Sequence, residues 1–185
     1  RETVKYDRGV EPVFCFTREH FVRLHLRLLR GANAADDTMK RIGYILQCKK
    51  CPYRIEQQGM FPDCVSCPDC KEKLHPIGPL WLGSIQHKET LVQMREYLNT
   101  MELGTRKDLT RLIDLCYEEL PTSSFYDYHR LTKIVGCSPP DINSVIGHII
   151  ASGFLATRTH FSGYGIKTEA PLKVIFDAIS GRQLS

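Results

Sequence analysis

Apolar and polar residues alternate along the segment from His20 to Arg30. A period of two residues predicts a β-strand that buries one of its faces. The segment 30–40 lacks this period and is expected to be a loop, whereas 41–48 predicts another strand. The first strand should carry Val22, Leu24, Leu26 and Leu28 on its buried face, and Arg23, His25 and Arg27 on its other face.

The hydrophobic period becomes helical after residue 87. Apolar residues recur at spacings of three and four in 88–101 and again in 106–120, which predicts two amphipathic helices. Glu118 and Glu119 are adjacent on the second helix, so their side chains should point about 100° apart. We therefore expect a solvent-exposed helix end there and not a pair of cooperating carboxylates.

Two further helices are predicted after this pair along the chain. A short helix within 121–136, carrying Leu131, Ile134 and Val135, is expected to end at Gly136. The next helix should begin with Ser138 as its N-cap, Pro139 in the first helical position and Asp141 in the first turn. Its apolar stripe consists of Ile142, Val145, Ile146, Ile149 and Ile150.

The last part of the chain predicts a hairpin from 154–160 and 166–170, followed by a helix over 171–179. Three helices followed by two strands is the order of a winged helix. A DNA recognition helix would carry cations on its exposed face. The third helix exposes only weakly polar residues instead, namely Asn143, Ser144, Gly147 and His148.

The composition is that of an ordinary globular protein. The 185 residues are 42% hydrophobic and 25% charged, with a net charge of +4. This length allows one large domain or two to three small ones. No apolar run approaches the roughly 20 residues that a membrane-spanning helix needs. The chain does not begin with Met, and we expect it to be a fragment of a longer protein from a reducing compartment.

Five of the eight cysteines lie between Cys48 and Cys70. Cys48 and Cys51 form one C-x2-C pair and Cys67 and Cys70 form another, which is the spacing of a four-cysteine zinc site. Such a site is closed and therefore structural. Cys64 also makes a C-x2-C pair with Cys67 and could replace Cys70, although Cys70 keeps the two pairs symmetric. Reduced thiols or adventitious disulfides are the other interpretation.

The cations suggest nucleic-acid contacts without requiring them. The basic strand face could contact phosphate, or it could face solvent or another domain. The hairpin could be an RNA-contacting wing with Tyr164 near its tip, or an ordinary exposed hairpin. The candidate RNA-binding residues are Arg23, His25 and Arg27 on the strand, Lys49 and Lys50 beside the first cysteine pair, and Arg158, His160 and Lys167 on the hairpin.

Several phrases occur in an order that is typical of one family. They are KYDRGVEPVFCF, HFVRLHLRLLRG, the two cysteine pairs, GPLWLGSI, EEL and GIKTEAP. Together they resemble the C-terminal half of the eukaryotic tRNA guanine-N2 dimethyltransferases. The residues Ser84 to His87, after GPLWLG, depart from the family's tendency towards a His-Asp or similar pair. This departure suggests the divergent dimethyltransferase-like paralogue.

The resemblance implies an enzyme that uses S-adenosylmethionine to methylate a guanine at the junction of the D arm and the anticodon arm. It implies tRNA as partner, no membrane, and a nuclear or nucleolar location. The glycine-rich donor loop and the D-P-[FY]-G-like motif are missing from this sequence. We therefore expect no catalytic residue and no bound S-adenosylmethionine in this chain, with structural zinc as its own cofactor.

The predicted fold class is α+β in three parts. Residues 1–46 should be terminal strands of a class I methyltransferase domain, 47–83 a zinc ribbon, and 84–185 a helical, winged-helix-like tRNA-binding domain. A protein-interaction module of a weakly active or inactive paralogue is the alternative function. A stand-alone enzyme fits poorly, because the sequence shows no acid–base or nucleophile constellation.

Overall fold

The structure is a computed structural model that describes residues 1–181. It is a mixed α/β chain that divides into two compact units. The first unit comprises Arg1–Pro12 and His25–Ser84, and the second comprises Val13–Leu24 and the chain from Ile85 onward. The predicted boundary between residues 46 and 47 falls inside a strand, and the predicted division into three domains stays a prediction.

The first strands form a two-stranded sheet of β1 (Arg8–Arg18) and β2 (Phe21–Arg30). Every residue of β2 is exposed, including Val22, Leu24 and Leu28 at 61–67%. The predicted strand is therefore present, but its predicted buried face is wrong for this chain. Period-two alternation shows that a strand can bury one face, whereas the burial itself requires a layer that packs on it.

A helix replaces the loop that was predicted over 30–40. This helix, α1 (Ala32–Lys40), buries Ala35 and Thr38. Thr38 Oγ1 accepts a hydrogen bond from the Val10 N–H at 2.8 Å, and a side chain at Gly9 would place its Cβ 2.3 Å from the Ala34 carbonyl oxygen. The loop prediction was wrong because these tertiary contacts to β1 stabilise a segment whose hydrophobic period is weak.

A second sheet has the strand order β4-β3-β5, all antiparallel. Its strands are β3 (Ile42–Cys48), β4 (Arg54–Gln58) and β5 (Leu74–Trp81). The predicted strand over 41–48 is thus confirmed as the central strand. Its last residue, Cys48, is 2% exposed and carries the chain into the cysteine-rich segment.

The second unit contains two cores. The first lies between α2 (Lys88–Thr100) and α3 (Arg106–Glu118) and includes Phe14 of β1. Both predicted helices are confirmed. Leu91, Leu98, Ile113 and Cys116 of the two predicted stripes are buried in this core.

The other core lies among the remaining elements. These are β6 (Tyr126–Asp127), α4 (Tyr128–Val135), α5 (Ile142–Ala151), β7 (Ala156–Thr159), β8 (Ser162–Thr168) and α6 (Leu172–Ser180), with the sheet order β6-β8-β7. Val145, Ile149, Ile166 and Ile175 are fully buried there. The hairpin and the last helix are confirmed.

The helix caps agree with the prediction at one end and correct it at another. Gly136 ends α4 with φ 75°, a left-handed conformation that glycine adopts without strain. Asp141, and not Ser138, is the N-cap of α5, and its carboxylate accepts the Ser144 N–H at 2.9 Å. The prediction of Ser138 was wrong because two prolines intervene before an aspartate that caps equally well.

Candidate metal centre and nucleic-acid interface

Four cysteine sulfurs converge in the first unit. The Sγ atoms of Cys48, Cys51, Cys67 and Cys70 all lie within 4.8 Å of one another. The Cys48–Cys70, Cys51–Cys67 and Cys51–Cys70 pairs are 3.4, 3.5 and 3.8 Å apart. A tetrahedron with Zn–S bonds of about 2.3 Å has sulfurs about 3.8 Å apart, whereas a disulfide bond is about 2.05 Å. The residues therefore fit a tetrathiolate metal site.

The two C-x2-C turns repeat one backbone pattern. The Cys48 N–H donates to the Tyr53 carbonyl at 2.9 Å, and the Cys67 N–H donates to the Glu72 carbonyl at 2.7 Å. Each turn thus closes between its first cysteine and the residue five positions later. Within the first turn, the N–H groups of Lys50 and Cys51 point at Cys48 Sγ at 3.3 and 3.4 Å. Such donors stabilise thiolate ligands.

The thiols of the cluster differ in pKa. Burial alone would raise the pKa of Cys48, but the N–H groups of Cys51 and Lys50 lower it to about 7. Burial raises the pKa of Cys51 to about 12. A divalent cation would favour the thiolate form of all four groups, since metal binding releases protons from its ligands.

Cys64 lies outside the cluster. It is exposed, whereas Cys67 is 0% exposed and Cys70 is half-buried. Of the two possible fourth ligands, the structure therefore brings Cys70 to the other three sulfurs. Cys15 and Cys116 are buried in the second unit, as expected of core residues, and Cys137 is half-buried.

Six of the eight candidate RNA-binding residues are exposed: Arg23, His25, Arg27, Lys49, Lys50 and Arg158. Some already have local partners. Arg27 forms an ion pair with Glu11 at 2.9 Å, and the Arg23 guanidinium lies 5.7 Å from the Phe21 ring centre. Arg158 donates to the Gly163 carbonyl across the β7–β8 turn at 3.2 Å. Exposure allows these six side chains to contact RNA but does not show that they do, so their role in RNA binding stays a prediction.

His160 and Lys167 do not lie on the surface of the hairpin. Their side chains are 0% and 4% exposed, and both bind the Glu119 carboxylate, itself 2% exposed. The prediction that these two residues contact RNA is therefore contradicted by their burial. The prediction of a solvated Glu119 is wrong for the same reason. A lysine on a strand beside a surface turn looks exposed in a sequence, because its buried partner is 48 residues away.

The buried carboxylate is fully surrounded by donors. Glu119 Oε1 accepts from Thr159 Oγ1 at 2.6 Å and lies 2.9 Å from Lys167 Nζ, while Oε2 contacts His160 Nδ1. Burial alone would raise the pKa of Glu119, but the hydrogen bonds from His160 and Thr159 and the Lys167 ammonium lower it below its ordinary value. These contacts join the end of α3 to the β7–β8 hairpin.

The same region contains a second group of potential metal ligands, Cys116, Glu119 and His160. Lys167 already balances the Glu119 charge, and burial raises the pKa of the Cys116 thiol to about 12. A neutral thiol beside a paired carboxylate is typical of a structural polar network. We therefore interpret this group as an ion-pair network and not as a metal site.

A basic groove that the sequence did not indicate lies between α3 and the β7–β8 turn. Its volume is about 900 Å³, and its lining includes Arg106, Lys107, Arg111 and Arg158. Three of these cations, Arg106, Lys107 and Arg111, belong to α3, whose apolar stripe lies on another face of the helix. The spacing 107, 111, 114, 118 on the opposite face was the signal that could have revealed it.

Comparison with known proteins supplies the family. The model of the family described as N2,N2-dimethylguanosine tRNA methyltransferase matches residues 1–180. A "tRNA (guanine(26)-N(2))-dimethyltransferase" from Methanoregula boonei is 57% identical over 98% of this chain, and the protein of that name from Methanoculleus marisnigri is 50% identical over 98%. The chain spans 49% of the length of each.

A solved structure is also similar. It is described as the complex structure of Trm1 from Pyrococcus horikoshii with S-adenosyl-L-methionine, and it matches with a TM-score of 0.82 at 29% identity. The match covers 95% of this chain and 45% of that one. The relatives named here are archaeal, so the comparisons do not support the predicted eukaryotic branch or its divergent paralogue. The match over residues 1–180 shows that the chain belongs to the N2,N2-dimethylguanosine tRNA methyltransferase family.

Proposed function

We propose that this chain is the tRNA-binding, zinc-stabilised C-terminal region of an S-adenosylmethionine-dependent tRNA guanine-N2 dimethyltransferase. It would position tRNA so that a guanine at the junction of the D arm and the anticodon arm, position 26 in the names of the relatives, is methylated. The observation that carries this proposal is the family match over residues 1–180, together with relatives up to 57% identical that have this activity in their names.

Zinc would hold the β3–β5 sheet together. Among the described residues, the buried cluster of this sheet consists of Leu46, Leu74, Cys48 and Cys67, and the half-buried Tyr44 and Tyr53 pack against it. Two aliphatic side chains cannot supply the free energy of a stable core, since each contributes about 1.5–3 kcal/mol. Metal binding in zinc-finger peptides supplies on the order of 10 kcal/mol. Cys48, Cys51, Cys67 and Cys70 would therefore be structural ligands, with no open position for catalysis.

The C-terminal elements from α4 to α6 would form a winged-helix-like module that holds RNA by its backbone. Support comes from α5, whose exposed residues Asn143, Ser144, Gly147 and His148 include no lysine or arginine. Such a face is poorly suited to read bases in a major groove, where Arg and Lys make the commonest specific contacts. Contacts to phosphate would position the substrate without reading its sequence.

The alternative function, a protein-interaction module, is favoured by one feature of the same elements. Ile150 of α5 and Leu155, which follows it, are 52% and 71% exposed.

The nuclear location, which came with the eukaryotic branch, also stays an untested prediction. In the part of the chain that the structure describes, no helix has the length and apolar character to cross a membrane.

Methylation of tRNA by the longer protein to which this chain belongs, called the parent protein below, tests the function. The parent protein, a tRNA transcript and S-adenosylmethionine should yield N2,N2-dimethylguanosine at position 26, detected by mass spectrometry of nuclease fragments. A transcript with adenine at position 26 is the matched control and should remain unmodified. Transfer of methyl groups to neither transcript, by a folded protein that binds S-adenosylmethionine, would contradict the proposal.

A further inference from the structure

The groove between α3 and the β7–β8 turn has a strongly uneven charge. Its lining carries four cations and two carboxylates, Asp114 and Glu118. Asp114 is already paired with Arg95 at 3.1 Å, which leaves Glu118 as the remaining anion of the lining. The groove therefore presents an excess of positive charge to solvent, and its natural ligand is an anion.

The two central cations of the groove are available for a ligand. Lys107 and Arg111 lie one helical turn apart on α3, and both are exposed. Neither forms an ion pair with any residue that the structure describes. The two outer cations have weak neutral partners: Arg106 donates to Asn99 at 3.2 Å and Arg158 donates to the Gly163 carbonyl at 3.2 Å.

Two of the groove cations, Arg106 and Lys107, lie where positive charge is unfavourable for the helix α3 itself. Arg106 and Lys107 occupy the first two positions of α3. The helix dipole disfavours positive charge at the N-terminus of a helix. Helix stability therefore does not explain their placement. Violations of such local rules are expected where a surface serves function.

The walls of the groove are held together by the buried ion-pair network. Glu119 directly follows α3, and it binds Thr159 of β7 and Lys167 of β8. Arg158 precedes Thr159 in the chain, so its backbone is fixed relative to α3. A preorganised set of cations loses less free energy on binding than a flexible one.

We infer that this groove, lined by Arg106, Lys107, Arg111 and Arg158, binds successive phosphates of the tRNA backbone. The inference rests on the proposed function and deepens it by naming the contact surface. The groove is open and its cations are spread along a helix, which suits a repeating polyanion. A small-molecule site would bury most of its ligand and place a few convergent polar groups around it. The hydroxyls of Thr110 and Ser162 add neutral phosphate donors.

The test compares two double variants of the 185-residue chain in tRNA binding, measured by fluorescence anisotropy over a range of salt concentrations. Lys107→Ala/Arg111→Ala removes the two unpaired cations of the groove. Lys5→Ala/Lys40→Ala removes two exposed cations of the first unit, outside the elements proposed to hold RNA, and is the matched control for net charge. Thermal unfolding of both variants should match the parent chain, because none of the four residues is buried.

We expect the groove variant to bind tRNA roughly 30-fold more weakly at about 0.1 M salt, because each phosphate contact contributes about 0.7–0.9 to the slope of log K against log salt. Its slope should be flatter by about 1.5, whereas the control should change little. Equal affinities of the groove variant and the parent at every salt concentration would overturn the groove as an RNA contact. Equal losses in both variants would also overturn it, because they would show a general charge effect. Failure of the unsubstituted 185-residue chain to bind tRNA would instead contradict the proposed function.

Discussion

Replacing Glu119 with glutamine should strongly destabilise the second unit. The change removes the carboxylate charge from a site where Lys167 is 4% exposed and lies 2.9 Å from Glu119 Oε1. Lys167 Nζ would then have only neutral partners among the described residues: the glutamine amide oxygen, the Leu120 carbonyl at 3.1 Å, and the Phe161 ring, whose centre is 5.8 Å away. Removing one partner of a buried ion pair typically costs about 3–5 kcal/mol, because the other charge stays buried without compensation.

The expected loss is large enough to measure in two ways. Urea unfolding followed by circular dichroism should give a free energy of unfolding lower by about 3–5 kcal/mol. The melting temperature should fall by roughly 6–20 °C, since 1 kcal/mol corresponds to about 2–4 °C in a chain of this size. Glu118→Gln is the matched control, because Glu118 is adjacent, exposed and without an ion pair among the described residues.

The effect should also depend on pH in one direction. The pKa of Glu119 is lowered in the folded state, so its contribution to stability is present above the pKa of the unfolded chain. That contribution is lost as the pH falls through the lowered folded-state pKa. The stability difference between the parent and Glu119→Gln should therefore shrink in acid. The interpretation fails if Glu119→Gln is no less stable than Glu118→Gln at neutral pH.

Two further predictions concern the cofactors. Cys70→Ser should lose stoichiometric zinc in elemental analysis, and its β3–β5 sheet should unfold. Cys64→Ser should keep both the zinc and the folded sheet, because Cys64 lies outside the sulfur cluster. Zinc loss in Cys64→Ser alone would show that Cys64, and not Cys70, is the fourth ligand. S-adenosylmethionine should not bind this chain in calorimetry, because the donor loop is missing from its sequence, and micromolar binding would contradict this expectation.

The helices and the cysteine cluster could be predicted because their signals are local. Apolar residues at spacings of three and four define α2 and α3, and two C-x2-C pairs define the sulfur cluster. The choice between Cys64 and Cys70 could not be made from spacing alone, because both positions satisfy C-x2-C. It depends on the second turn, where the Cys67 N–H binds the Glu72 carbonyl and directs Cys70 inward.

The remaining features depend on contacts between distant parts of the chain. The helix α1 depends on Gly9 and Val10 of β1. The strand β2 is exposed because its alternation of apolar and polar residues does not itself supply a layer that packs on it. Lys167 and His160 were expected on the surface because charged residues are mostly exposed. Their burial depends on Glu119, which no periodicity in the sequence connects to them.

The measurement that tests the account most directly is the affinity of the 185-residue chain for a tRNA transcript as a function of salt. If the groove holds the tRNA backbone, the slope of log K against log salt should be steep, about −3 if its four cations each neutralise one phosphate. Absence of binding by the folded chain, or binding that does not change with salt, would contradict it.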